Sequence, residues 1–232
     1  MSGICVVLGV GAGNGEALVR RFCQEGFQVA MLARSTDYLL ELEASLTGAH
    51  AFPCDLMEPA QIASVMTAIE RRLGPVSVML YNAGGGAFKS VEDASLEDFE
   101  ANWRINVQGL VAATKAALPQ LRQHPSASIV VTSASAATRG RANTAPFASA
   151  KAAQRSLAQS LARQLGPEKI HVANVVIDGV VDLPRTRNML PDKPDDFFVQ
   201  PSAVADAVWH LCQQDPSAWT HELDIRPFGE TW

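Results

Sequence analysis

Tyrosine and cysteine are scarce in this chain, with two and four among 232 residues, and aromatic residues together make up only 6%. The cysteines are Cys5, Cys23, Cys54 and Cys212. None forms a C-x-x-C pair, and none has a histidine at metal-ligand spacing, so a zinc site or a dithiol centre is excluded. Four reduced thiols acting as small apolar residues remain. Basic runs are absent, the first Lys or Arg is Arg20, and the formal net charge is −5. That balance speaks against nucleic acid as a partner, because phosphate backbones select basic faces. Long apolar runs are also missing. The opening Ile4–Leu8 run is too short for a signal sequence, and nothing is long enough to span a bilayer. The expectation is a cytoplasmic protein with no membrane partner. No linker or repeat divides the chain, so residues 1–232 read as one domain.

Glycine, by contrast, is concentrated. Gly9, Gly11, Gly13 and Gly15 alternate directly after the apolar run, and a helix-like stretch with Ala17, Leu18 and Phe22 follows. Strand, glycine turn and helix present bare backbone N–H groups to a phosphate, aided by the helix dipole. The common G-x-G-x-x-G spacing fails in every register. What fits is Gly9-x-x-x-Gly13-x-Gly15. An ordinary tight turn needs fewer glycines.

Strand-like and helix-like segments then alternate. Strands are expected at residues 26–33, 51–55, 76–81, 128–133, 171–177 and 222–226. Helices are expected from Ser35 or Thr36, from Glu58-Pro59 to Gly74-Pro75, from about Phe99 to a stop near Pro119, and from Ala148 to Leu165. This order predicts an α/β doubly wound Rossmann fold, a parallel sheet of about seven strands with helices on both faces. Gly9–Gly15, Asp55, Asn82-Ala83-Gly84, Ser133 and Asp178-Gly179 fall at the carboxyl ends of expected strands, the rim where such sheets bind ligands.

On these residues the chain resembles the short-chain dehydrogenase/reductase family over nearly its whole length. The glycine turn resembles the family's, with Leu8 where Thr is usual. Asp55, beside Leu56, is similar to the aspartate that contacts adenine, and Asn82-Ala83-Gly84 to the family's Asn-Ala-Gly. Asn106 matches the helix asparagine of the active-site tetrad, and Lys151 the lysine of Tyr-x-x-x-Lys. Asn106 reads equally well as a helix asparagine bonding backbone carbonyls. The resemblance implies a nicotinamide coenzyme held by Gly9, Gly11, Gly13, Asn14, Gly15, Arg34, Ser35, Asp55, Leu56, Asn82, Ala83, Gly84, Lys151 and Gly179.

The departures lie at the chemistry. Phe147 stands where the family has its proton-donating tyrosine, and Ala134 where it has serine, flanked by Ser133 and Ser135. Asp178-Gly179 replaces Pro-Gly, and Leu183, with Thr186 nearby, replaces the threonine that holds the carboxamide. Phe147 has no proton to give. Lys151 retains a role on the ribose hydroxyls. Tyr38 is expected far from the rim, and Tyr81 packed around the sheet end. Two readings follow. One is an oxidoreductase whose proton comes from Ser133, Ser135, Lys151 or water, acting on a substrate such as an activated alkene or a dicarbonyl. The other is a nucleotide-binding pseudoenzyme that works as a sensor or subunit partner.

The end of the second strand, Leu32-Ala33-Arg34-Ser35, carries no acid to grip a ribose 2′-OH. Arg34 can meet a 2′-phosphate, so NADP is favoured over NAD. Residues 180–200, with Arg185 and Arg187, correspond to the family's substrate lid. Phe88, Trp103, Phe147, Leu183 and Met189 are candidates for an apolar pocket wall. The alanine-rich helices near Phe99–Leu118 and Ala148–Leu165 suit close pairing in a homodimer or homotetramer. Trp219, Ile225, Phe228 and Trp232 form a second contact or cover the sheet edge.

Overall fold

The computed structural model describes residues 3–229. Strand β1 (Ile4–Leu8) leads through the glycine turn into α1 (Asn14–Gln24). Then come β2 (Gln28–Ala33), α2 (Thr36–Ser45), β3 (Ala49–Pro53), α3 (Pro59–Leu73) and β4 (Val76–Tyr81). Helix α4 (Leu96–Trp103) passes through a π-turn at Arg104–Gln108 into α5 (Gly109–Leu121). Strand β5 (Ala127–Ala134), α6 (Ala145–Leu165) and β6 (Ile170–Ile177) follow. Strand β7 (Val180–Val181), α7 (Pro184–Met189), β8 (Phe198–Val199), α8 (Pro201–Cys212) and β9 (Glu222–Ile225) complete the chain.

The seven-stranded sheet has the order β3-β2-β1-β4-β5-β6-β9. Every pairing in it is parallel. Connections run outward in both directions from β1 and β4, so the topological switch point falls between them. Parallel strands are buried on both faces, and the core is accordingly double. One half joins Val6, Leu8 and Met79 to Ile62 and Met66 of α3, Leu110 of α5 and Ala158 of α6. The other joins Cys5, Val7 and Val29 to Leu18 and Phe22 of α1, Leu39 of α2 and Val208 of α8. All four cysteines are free thiols, with Cys5 and Cys54 buried.

Local signals explain the boundaries. Pro59 sits in the first turn of α3, where its missing N–H is harmless, and Gly74 ends the helix at φ 108°. Ser95 and Asp98 form a reciprocal capping box at the start of α4. The expected stop near Pro119 falls at Leu121, with Pro119 inside the last turn of α5. Burial of the next turn outweighs the proline: Gln120 accepts from Val76 N at 3.1 Å and donates to Met66 O at 3.1 Å, and Leu121 is fully buried. The π-turn was not legible in the sequence. It frees carbonyls from the helix ladder, so Tyr81 donates its hydroxyl to Ile105 O at 2.5 Å and Gln154 donates to Asn106 O at 2.7 Å. The residue 180–200 segment is more ordered than an exposed loop, with α7 between the short parallel pair β7 and β8.

At the last strand, Trp219 stacks on His171 with ring centroids 4.9 Å apart, covering the sheet edge. Ile225 belongs to β9, Phe228 is exposed, and Trp232 lies outside the described residues. Among the described residues no helix is long and apolar enough to cross a membrane.

Candidate active site

A cleft of about 1070 Å³ opens at the carboxyl ends of β1, β2, β3 and β4. Its floor is the glycine turn. Gly9 takes φ +93°, and a Cβ there would stand 2.5 Å from the backbone N and Cα of Ala83. Only glycine lets the two strand ends approach this closely. The approach is fastened by Asn82, which donates to Gly9 O at 2.8 Å and accepts from Thr132 Oγ1 at 3.0 Å.

One end of the cleft is lined by Arg34, Ser35, Asp55 and Leu56. Arg34 is exposed, and no carboxylate among the described residues pairs with it. Ser35 precedes α2 without capping it through its side chain. Asp55 accepts from Met57 N at 2.9 Å in a local turn. Tyr38 reaches back to the glycine turn's helix, donating to Glu16 Oε2 at 2.5 Å, so its hydroxyl is engaged. That bond lowers the Glu16 pKa.

The other end is lined by Gly84, Gly85, Gly86, Asn102, Ile105, Val181 and Leu183, with Asn14 facing in from α1. Lys151 and Asn106 stand behind Gly84. A Cβ on Gly84 would lie 3.5 Å from both Lys151 Nζ and Asn106 Oδ1, so the wall is thin there. Lys151 donates to Thr132 O at 3.1 Å and Gln154 Oε1 at 2.9 Å. Its burial disfavours the ammonium and pushes its pKa down to about 7. Asn106 donates to Gly85 O at 3.1 Å and Asn102 O at 2.9 Å, while its Oδ1 is buried without a partner. Asn102 is similar: its amide nitrogen bonds Asp98 O at 2.8 Å and its Oδ1 is unpartnered. Asn102 was missed in the sequence, although it lies one helical turn before Asn106, which could have marked it.

Phe147 packs against Phe88, centroids 5.1 Å apart, beside Gly86. Lys151 Nζ lies 5.9 Å from the Phe147 ring centroid. Neither Ser133 nor Ser135 lines the cleft. Ser133 is inside β5 with a buried, unpartnered hydroxyl, and Ser135 starts a 3₁₀ turn. Tyr81 is fully buried, and burial raises its pKa.

Three expected rim positions are placed otherwise. Gly13 (φ +118°) does not line the cleft because Leu183 lies over it; a Cβ there would be 2.1 Å from Leu183 Cδ2. Gly179 packs under the chain's last turn, where a Cβ would meet Pro227 and Val199 at 2.8 Å. Asp178 is buried and accepts from Arg139 at 2.7 and 2.9 Å. Within residues 180–200, Arg187 grips Asp182 at 2.7 and 2.8 Å and Asp195 at 2.7 Å, and lies 4.1 Å over the Phe198 ring. The Arg187 pairing holds the Asp182 carboxyl down to about 2. Of the proposed wall residues, Leu183 lines the cleft, whereas Phe88 and Phe147 pack on each other behind Gly86 outside its lining, Trp103 lines a separate hollow with Phe99, and Met189 is exposed.

These residues fit a dinucleotide: a turn whose Gly9, Gly11 and Gly15 line the cleft, a guanidinium with no partner among the described residues at one end, and unpartnered buried amides at the other. An uncharacterized oxidoreductase of Staphylococcus epidermidis is 24% identical over 97% of this chain and 96% of its own length. A short-chain dehydrogenase structure from Rhodopseudomonas palustris is 29% identical, covers 98% of this chain and 99% of its own, and superposes with a TM-score of 0.82. An NADPH-bound short chain oxidoreductase from Pseudomonas aeruginosa, described as containing an atypical catalytic center, shares the fold at TM-score 0.89, with 23% identity and coverage of 98% and 96%. The model of the short chain dehydrogenase family matches residues 3–193, and with the fold and cleft above it shows that the chain belongs to that family.

Proposed function

We propose that this protein is an NADP-preferring oxidoreductase in which Lys151, rather than a tyrosine, moves the proton. The observation that carries the reading is the convergence of Lys151 and Asn106 directly behind Gly84, which lines the cleft. A bound nicotinamide coenzyme supplies or accepts the hydride. Lys151, titrating at about 7, can give or take a proton near neutral pH. Thr132 O and Gln154 Oε1 hold its amine in place, and the unpartnered Asn106 Oδ1 offers an acceptor beside it.

Arg34 supports NADP over NAD, because an unpaired guanidinium can fork onto a 2′-phosphate and no acid stands at the end of β2. The NADPH and atypical centre of the Pseudomonas neighbour agree with this reading. Phe147 and Phe88 make the substrate side aromatic and apolar, which suits an activated alkene or a dicarbonyl needing little acid help. Residues 180–200 act as the lid. The chain pairs with a second copy through α5 and α6, and light scattering tests that pairing. The functional test follows NADPH consumption on activated alkenes and dicarbonyls. Turnover in the wild type that Lys151→Met stops supports the proposal; turnover that survives it removes Lys151 from the chemistry.

One observation favours a second reading, a pseudoenzyme that binds the nucleotide and signals or assembles. The position opposite Lys151 is filled by a phenyl ring, and neither Ser133 nor Ser135 reaches the cleft. NADPH binding without wild-type turnover, together with turnover in Phe147→Tyr, selects that reading.

A further inference from the structure

We propose that Asn14 holds the carboxamide of the bound nicotinamide, so that coenzyme orientation rests on the first residue of α1 rather than on the lid. The inference rests on the coenzyme reading above. In a doubly wound sheet the end of β2 meets the adenosine ribose. The nicotinamide therefore lies across the glycine turn from Arg34, at the end lined by Asn14, Val181 and Leu183.

A carboxamide is a planar group with two donors and one acceptor, and buried polar groups need partners. The lid cannot provide them from its side chains at this point. Leu183 is a hydrocarbon seated over Gly13. The Thr186 hydroxyl is engaged with Val181 O at 2.6 Å, Leu183 O at 3.0 Å and Leu183 N at 3.0 Å. Asn82 is bonded at both ends of its amide. Asn14 is different. It lines the cleft, and its Oδ1 is buried with no partner at all. An oxygen shut from both water and protein donors destabilises the fold. Such a cost has a use where a ligand brings the missing donor. Two primary amides can exchange a pair of hydrogen bonds, whichever way the Asn14 amide is turned. For the ligand to reach it, the Leu183 side chain must shift off Gly13.

The test is a cycle between protein amide and ligand amide. Dissociation constants are measured for wild type, Asn14→Leu and Asn102→Ala with NADPH, with its 3-acetylpyridine analogue, which lacks the amide N–H, and with 2′,5′-ADP and ADP-ribose, which lack the nicotinamide. The expected result is that wild type prefers NADPH to the analogue by roughly tenfold. Asn14→Leu erases that preference and leaves fragment binding unchanged, which also shows that it is folded. Equal discrimination in wild type and Asn14→Leu overturns the assignment, as does a preference lost only in Asn102→Ala. If neither fragment binds the wild type, the coenzyme reading itself falls, and this proposal with it.

Discussion

The two halves of the cleft solve opposite problems. Near Gly9 and Arg34 two polar side chains are engaged in local structure, while Arg34 has no partner among the described residues. Asn82 clamps Gly9 O to Thr132, and Asp55 closes its own turn on Met57 N. Towards the Leu183 and Gly84–Gly86 end, Asn14 of the glycine turn, Asn102 and Asn106 each bury an amide oxygen with no partner among the described residues, as does the Ser133 hydroxyl behind the cleft lining. Phosphate can be bound by backbone N–H groups, so that half needs only a shape. A ring must be oriented and a proton moved by side chains, so the other half holds polar groups ready at a cost to stability. The family's Asn-Ala-Gly, helix asparagine and lysine persist in the second half as Asn82-Ala83-Gly84, Asn106 and Lys151, and the resemblance breaks there at Ala134, Phe147 and Leu183.

The sharpest way to break this contrast is Phe147→Tyr. A phenol placed beside Lys151 is expected to raise carbonyl reduction by about 10²–10⁴-fold. Assays of NADPH consumption on simple ketones check it; no gain would mean that this half is not arranged for carbonyl chemistry. On the other side, Gly9→Val forces a side chain against Ala83 backbone at positive φ. Coenzyme binding should be lost, and the strain of roughly 1–3 kcal/mol should lower the melting midpoint. Gly11→Ala is the control, since nothing lies within 4 Å of the added Cβ.

Arg34→Asp should weaken NADPH binding by at least about tenfold and leave NADH nearly unchanged, read by titration. A smaller effect concerns Lys151 and pH. Its folded pKa is about 7 against an ordinary 10.5, so between those values the unfolded chain holds a proton that the folded chain lacks. Stability therefore rises with pH across that window and is lost as pH falls towards 7. Thermal midpoints from pH 7 to 10 should show the rise, and Lys151→Met should flatten it. The smallest effect belongs to Arg187→Ala. Freed from Asp182 and Asp195, the lid should exchange its amide hydrogens faster with little change in global melting.

Much of the fold was legible because its signals are local. The five residues of β1, the Glu58-Pro59 start and the Gly74 end of α3 follow from hydrophobic runs and capping chemistry. The β3 strand runs Ala49–Pro53, two residues before the expected span, and α6 starts at Ala145, three residues early, with Pro146 in its first turn as the local start signal. The two residues of α5 beyond Pro119 are held by tertiary contacts, those of Gln120 to α3 and β4. The π-turn stayed hidden because the bonds that replace the helix ladder come from Tyr81 and Gln154, distant in sequence.

Sequence alone determined the doubly wound sheet, the place of its glycine turn and the phenylalanine, not a tyrosine, four residues before Lys151. Each depends on residue type and short spacing. Tertiary structure alone decided which polar groups are engaged. Arg187 and Asp178 turned out to be bound, Arg34 free, and Asn14 and Asn102 stranded. The physical reason is that a hydrogen bond depends on distance and direction between groups the chain brings together only on folding, and no local pattern records which partner arrives first.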